Sequence, residues 1–184
     1  MWLCTEWKID WDAVAAVATA SAAIIALIIW SYDKFQRKRE RSASAKLLAQ
    51  IMTTPVGATQ VELAEFKRTL SSSNGDRSYL VDLLHNEEAR KDLASKALQI
   101  TIDLPSQFLD KADIFSEVVN NRLANAFSQV NRLKTASRLL GQLSDSADEE
   151  EVDKHVMAVL TQISEAEKAT EEAFQALLKA GKSS

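Results

Sequence analysis

Residues 13–30, AVAAVATASAAIIALIIW, hold no charged side chain and no helix breaker. At 1.5 Å per residue a helix over this stretch is about 27 Å long, against about 30 Å for a bilayer's hydrocarbon core, and Ser31 and Tyr32 complete the thickness. Eight of the residues are alanine, so the hydrophobicity is modest. The seven Val, Ile and Leu residues together contribute roughly −3 kcal/mol on an insertion scale of about −0.3 to −0.6 each. This pattern predicts a single transmembrane helix over 13–32.

Beyond residue 46 the apolar positions change rhythm. AKLLAQIM carries a helix to about Met52, and TTPVG is expected to stop it, with Thr54 as cap and Pro55 opening a new helix. Val56, Thr59, Leu63, Phe66 and Leu70 then alternate spacings of three and four, the signature of one buried face. SSSNGD at 71–76 reads as a loop. A third helical region over 76–104 carries Tyr79, Leu80, Leu83, Leu84, Leu93, Leu98 and Ile100, with a break expected near His85 and Asn86. Pro105 closes it, because proline disfavours helix in the residue before it.

A fourth helix is expected from Ser106 or Asp113 to Leu143, with Phe115, Val119, Leu123, Phe127, Val130, Leu133 and Leu140 as its seam. Ser146 and Glu149 have the spacing of a capping box. Val152, Val156, Val159, Ile163, Ala166, Thr170, Ala173 and Leu177 recur every three or four residues until Gly181. Two long amphipathic helices with a short connection pack antiparallel. The fold class is therefore all-α: one N-terminal transmembrane helix, then a cytoplasmic antiparallel bundle of long helices. Its predicted parts are an extracytoplasmic leader over 1–12, a span over 13–32, a basic juxtamembrane stalk over 33–53 and a bundle over 54–181.

Charge orients these parts. The chain's −4 conceals −3 over residues 1–33, +5 over 34–46 and −6 over the remainder. All four tryptophans, Trp2, Trp7, Trp11 and Trp30, lie in the first thirty residues and bracket the apolar run. Together with Tyr32 they are candidate membrane-interface residues, since an indole or phenol prefers the headgroup level. Lys34, Arg37, Lys38, Arg39, Arg41 and Lys46 follow the span at once, and the first five are the candidate lipid-headgroup and topology determinants. By the positive-inside rule they put the C-terminal part in the cytoplasm of a cell, inner or plasma, membrane. A cleavable signal would carry its bases before the apolar core and small residues after it; here that order is reversed. Ala16 and Ala20 have the small-x-x-x-small spacing that lets two spans approach, as have Ala18 and Ala22.

Composition narrows the chemistry. Four glycines and two prolines in 184 residues suit helices rather than turn-rich sheets. One cysteine, Cys4, forms no internal disulfide, and with two distant histidines it builds no recognised zinc site. There is no phosphate-binding glycine loop, no G-x-S-x-G turn and no H-E-x-x-H pair. DEEEVDKH at 148–155 reads as a dipole-stabilised first turn, and HNEEARKD at 85–92 as surface charge. The expectations are no enzymatic activity, no cofactor, no metal and no nucleic-acid partner for the acidic remainder. What stays is a membrane-anchored protein with the bilayer and a second protein as partners, or a homo-oligomer. The alternative is a membrane-perturbing effector whose assembled helices cluster the spans.

Overall fold

The computed structural model describes residues 11–70, 73–74, 77–105 and 114–182. Five helices lie among the described residues: α1 Trp11–Leu70, α2 Tyr79–His85, α3 Glu87–Gln99, α4 Glu117–Gly141 and α5 Glu149–Lys182. Between α1 and α2 the strands β1, Ser73–Asn74, and β2, Arg77–Ser78, pair antiparallel over two residues each. That ladder falls partly in the stretch the sequence marks as loop. Chain contacts divide the protein into Met1–Ala43 and Ser44–Ser184, and α1 belongs to both.

The second unit is an antiparallel bundle built on matching seams. Along α1, Ala49, Met52, Val56, Thr59, Leu63, Phe66 and Leu70 are buried. On α4 the buried row is Val119, Leu123, Ala126, Val130, Leu133, Ser137 and Leu140. On α5 it is Val152, Val156, Val159, Ile163, Ala166, Thr170, Ala173 and Leu177. All three rows step by three and four, the repeat that lets neighbouring helices interlock at a shallow angle. The α1–α5 pair runs antiparallel: the side chain of Gln50 lies beside Gly181, Phe174 beside Gly57, and Lys67 Nζ is 2.5 Å from Glu167. Arg122 of α4 pairs with Glu172 of α5.

Pro55 does not end α1. It lies inside the helix, which corrects the expected stop at TTPVG. Proline inside a helix costs about 3 kcal/mol, through a lost amide and a clash with the preceding turn. A break would also pull Leu48 and Met52 out of the core, and burying one such side chain is worth about 1.5–3 kcal/mol. The seam on both sides therefore outweighs the local penalty. Thr59 adds a tie, donating its hydroxyl to Pro55 O at 3.0 Å and to Thr101 O at 2.8 Å, beyond α3.

The predicted break at His85 and Asn86 is present. Asn86 caps α3 by accepting from the amides of Glu88 (2.8 Å) and Ala89 (3.4 Å). Glu87, in the first turn, accepts from Lys91, which holds its carboxyl below the usual carboxylate range and raises Lys91 in turn. Residues 101–105 leave the helix, with Ile100 and Ile102 buried.

Three local expectations change. The α4 seam uses Ala126, with Phe127 only half-buried, because the stepping from Leu123 to Val130 admits one of the two and the close contact takes the small one. The helix runs Glu117–Gly141, ending before the expected Leu143, and both expected starts, Ser106 and Asp113, lie outside the described residues. The capping box is not formed: Ser146 Oγ bonds Ser144 Oγ at 2.8 Å, and Asp148 O accepts the first helical bond, from Val152 N.

A buried arginine ties one end of the bundle together. Arg90, 1% exposed, donates from Nη1 to the carbonyls of Leu83 (3.0 Å) and Leu84 (3.3 Å) in the last turn of α2. Nε and Nη2 donate to Leu143 O at 3.3 and 3.1 Å, and Nη2 also to Asp145 Oδ1 at 3.0 Å. Asp145 accepts from Glu87 N at 2.7 Å as well. One side chain thus joins the end of α2, the start of α3 and the α4–α5 connection. Next to it α3 and α4 touch closely, for a Cβ on Gly141 would come within 2.7 Å of Ala94 Cβ.

Three substitutions test these features by denaturant unfolding of the full chain in detergent. Arg90→Ala leaves buried carbonyls without donors and lowers stability by about 3 kcal/mol or more, whereas Asp145→Ala, at an exposed carboxylate, costs about 1–2 kcal/mol. Pro55→Ala restores a helical amide and raises stability by about 1–3 kcal/mol; unchanged or lower stability would mean that the ring itself holds the core.

Candidate membrane interface

From Val14 to Trp30, α1 carries no charged side chain and is uncovered. Among the described residues one helix, α1, is long and apolar enough to cross a membrane, and none of its apolar window is buried within the chain. Val14, Val17, Ile24, Ile25, Leu27, Ile28 and Ile29 are all exposed, the last four of them by 55–63%. In water such a surface is the kind that marks a binding or membrane face. Its two described internal hydroxyls are already satisfied: Thr19 Oγ1 donates to Ala15 O and Ser21 Oγ to Val17 O, both at 2.8 Å. A helix with its backbone and hydroxyl groups bonded internally is what a hydrocarbon environment demands.

The aromatic and basic residues cluster at the C-terminal end of this surface. Trp30 and Tyr32 are 60% and 70% exposed, and Trp11 stands at the opposite end of the apolar stretch as the first residue of α1. Trp2 and Trp7, with Cys4, lie outside the described residues. Lys34 Nζ sits 4.9 Å from the centre of the Trp30 ring, a cation held over the electron-rich face one helical turn away. Arg39 makes the same kind of contact with Phe35, at 6.0 Å.

The two acids at this boundary both have partners, Glu40 accepting from Gln36 Nε2 at 3.3 Å. Asp33 Oδ2 accepts from Arg37 Nη2 at 2.9 Å, so the carboxylate next to Tyr32 meets a cation within its own helix. Lys38 and Arg41 are exposed. The candidate set thus resolves into a paired Asp33–Arg37, two cations lying on rings, and cations open to solvent. Sequence reading named the bases without these pairings, although each pair has the i, i+4 spacing that brings side chains together on a helix. Ala16 and Ala20, four residues apart on α1, are both exposed.

Elsewhere the described residues offer little chemistry. Among them no three His, Cys, Asp or Glu side chains converge as a metal site. His155 bonds the Glu151 carbonyl through Nδ1 at 2.9 Å, and His85 closes the last turn of α2. An open groove of about 700 Å³ lies between α4 and α5 beside Val118, Arg122, Lys168 and Lys179. No protein-family model, curated protein or solved structure matches this chain.

The ring and charge pairings set the expected depth of Trp30. With the other three tryptophans replaced by phenylalanine, its fluorescence in vesicles is quenched more by lipid brominated near the headgroup than near the chain terminus. A tryptophan placed at Ile25 shows the reverse order. Equal quenching at both positions would remove Trp30 from the interface.

Proposed function

We propose that this chain is a single-pass membrane protein without enzymatic activity, whose helical bundle binds or regulates another protein at the bilayer surface. The uncovered apolar stretch of α1, ending in exposed Trp30 and Tyr32 and followed at once by Lys34, Arg37, Lys38, Arg39 and Arg41, carries the reading. Residues 13–32 form the span in this proposal. The cations stay on the cytoplasmic side, where each is worth about 1 kcal/mol near an anionic leaflet, and the N-terminal residues face outward. In this reading the bundle contributes surface rather than a reactive centre, with Asn86 spent on a cap, Arg90 on a tie and Lys67 on an ion pair.

Orientation is tested with a C-terminal tag and protease added to intact cells. The tag stays protected until the cells are permeabilised; cleavage from outside overturns the orientation. Replacing the five cations with glutamine exposes the tag in a measurable fraction of molecules, because the orienting charge is gone. Recruitment is tested by crosslinking in membranes, where deletion of residues 106–180 abolishes recovery of the partner. The exposed Ala16 and Ala20 face supports a second reading, in which assembly clusters the spans and permeabilises the bilayer. Under that reading, induced expression collapses a membrane-potential dye signal; an unchanged signal leaves the anchor alone.

A further inference from the structure

The bundle leg of α1 has a second stripe, on the side away from the core. Leu47, Ile51, Thr54, Ala58 and Val61 are all exposed, and they step by four and three as the buried seam does. At 100° per residue their mean direction lies about 150° from that of Met52, Val56, Thr59 and Leu63, so one helix carries two opposed seams. Leu47 and Val61 are 61% and 66% exposed and Ile51 is 43%. The fifteen residues from Leu47 to Val61 include no charged side chain, and charge resumes only at Lys46 on one side and Glu62 on the other. The outer faces of α4 and α5 differ, with Arg122, Arg132, Lys154, Glu165 and Lys168 spread along them.

We propose that this stripe is the contact between two parallel copies of the chain. In a two-fold parallel seam each residue faces its own counterpart, so a charge anywhere on it would meet itself, and a charge-free stripe is the arrangement that self-pairing requires. A different protein would more readily be recognised through charges of opposite sign, and this face offers none. Leucine at 47 and isoleucine at 51 occupy the alternating seam positions that favour two strands, while Thr54 and Ala58 let the backbones approach. Four turns of such contact bury roughly 1,000 Å² in total, below the ~1,200–2,000 Å² of a stable soluble complex. The pairing therefore needs help. It rests on the membrane-anchor reading above, because anchoring in one bilayer makes the α1 helices parallel and raises their effective concentration as a linker would.

The test is cysteine crosslinking of the full chain in native membranes. With Cys4 replaced by serine, single cysteines are placed at 47, 51, 54, 58 and 61, with controls at Gln60 and Ala64, and mild oxidant is added. The stripe positions give disulfide dimers in at least tenfold higher yield than the controls. Uniform or absent crosslinking overturns the proposal. Adding Ile51→Lys to the Ala58→Cys chain lowers the yield at least tenfold while the bundle keeps its resistance to limited proteolysis; an unchanged yield likewise overturns it. Alkaline extraction of the same membranes separates the two readings. A chain that is released yet still crosslinks along the stripe supports the dimer and sinks the anchor, whereas a chain that stays embedded and does not crosslink sinks the dimer.

Discussion

An apolar surface that the chain does not cover is the constraint to which the other features of α1 answer. From Val14 to Ile29 the helix carries no charge and exposes its valine, leucine and isoleucine side chains along one broad arc, with alanines filling most of the rest. Water solvates such a surface poorly, and burying each of these side chains is worth about 1.5–3 kcal/mol, so something apolar has to surround it. Features within it and at its border answer that need: inside, Thr19 and Ser21 turn their hydroxyls onto their own helix, and at the border Asp33 is paired by Arg37 and Lys34 lies over the Trp30 ring. Each removes or shields a polar group that hydrocarbon would penalise. The proposed span and its orientation follow from this border.

In the second unit a different constraint takes over, the heptad seam. It runs from Ala49 to Leu70 without interruption and holds α1 helical through Pro55, where local chemistry alone would stop it. The same repeat on α4 and α5 also buries two polar residues, Ser137 and Thr170, and Thr170 donates its hydroxyl to the carbonyls of Ala166 and Glu167 on its own helix. At one end regular packing stops, and Arg90 substitutes for it by gathering carbonyls from two places in the chain with a carboxylate from the α4–α5 connection.

The features legible in the sequence were those repeated many times. All eight seam positions read from α5 are buried, since each one reinforces the same period. The Asn86 break was equally visible, an asparagine cap being a local signal. Single-residue decisions misled. Pro55 looked like a boundary because propensity is local and the seam that overrides it is not; Phe127 looked like core because it is larger than Ala126, but helix approach selects the smaller residue. Ser146 had the spacing of a cap, and Ser144 engages its hydroxyl instead. Arg90 was invisible, as nothing in EEARKD distinguishes a buried arginine from a surface one until the Leu143 carbonyl and Asp145 arrive from more than fifty residues away. The border residues were half legible: their types announced an interface, and only coordinates paired Asp33 with Arg37 and Lys34 with Trp30.

The most direct test is a cysteine scan along α1 in sealed vesicles, read by a membrane-impermeant maleimide. A lipid-embedded helix gives a continuous block over 14–30 in which no position reacts, whichever face it occupies, and reactivity beyond it that rises and falls with the bundle seam. Reactivity within 14–30 recurring every three to four residues would instead show one wet face, and would contradict a span.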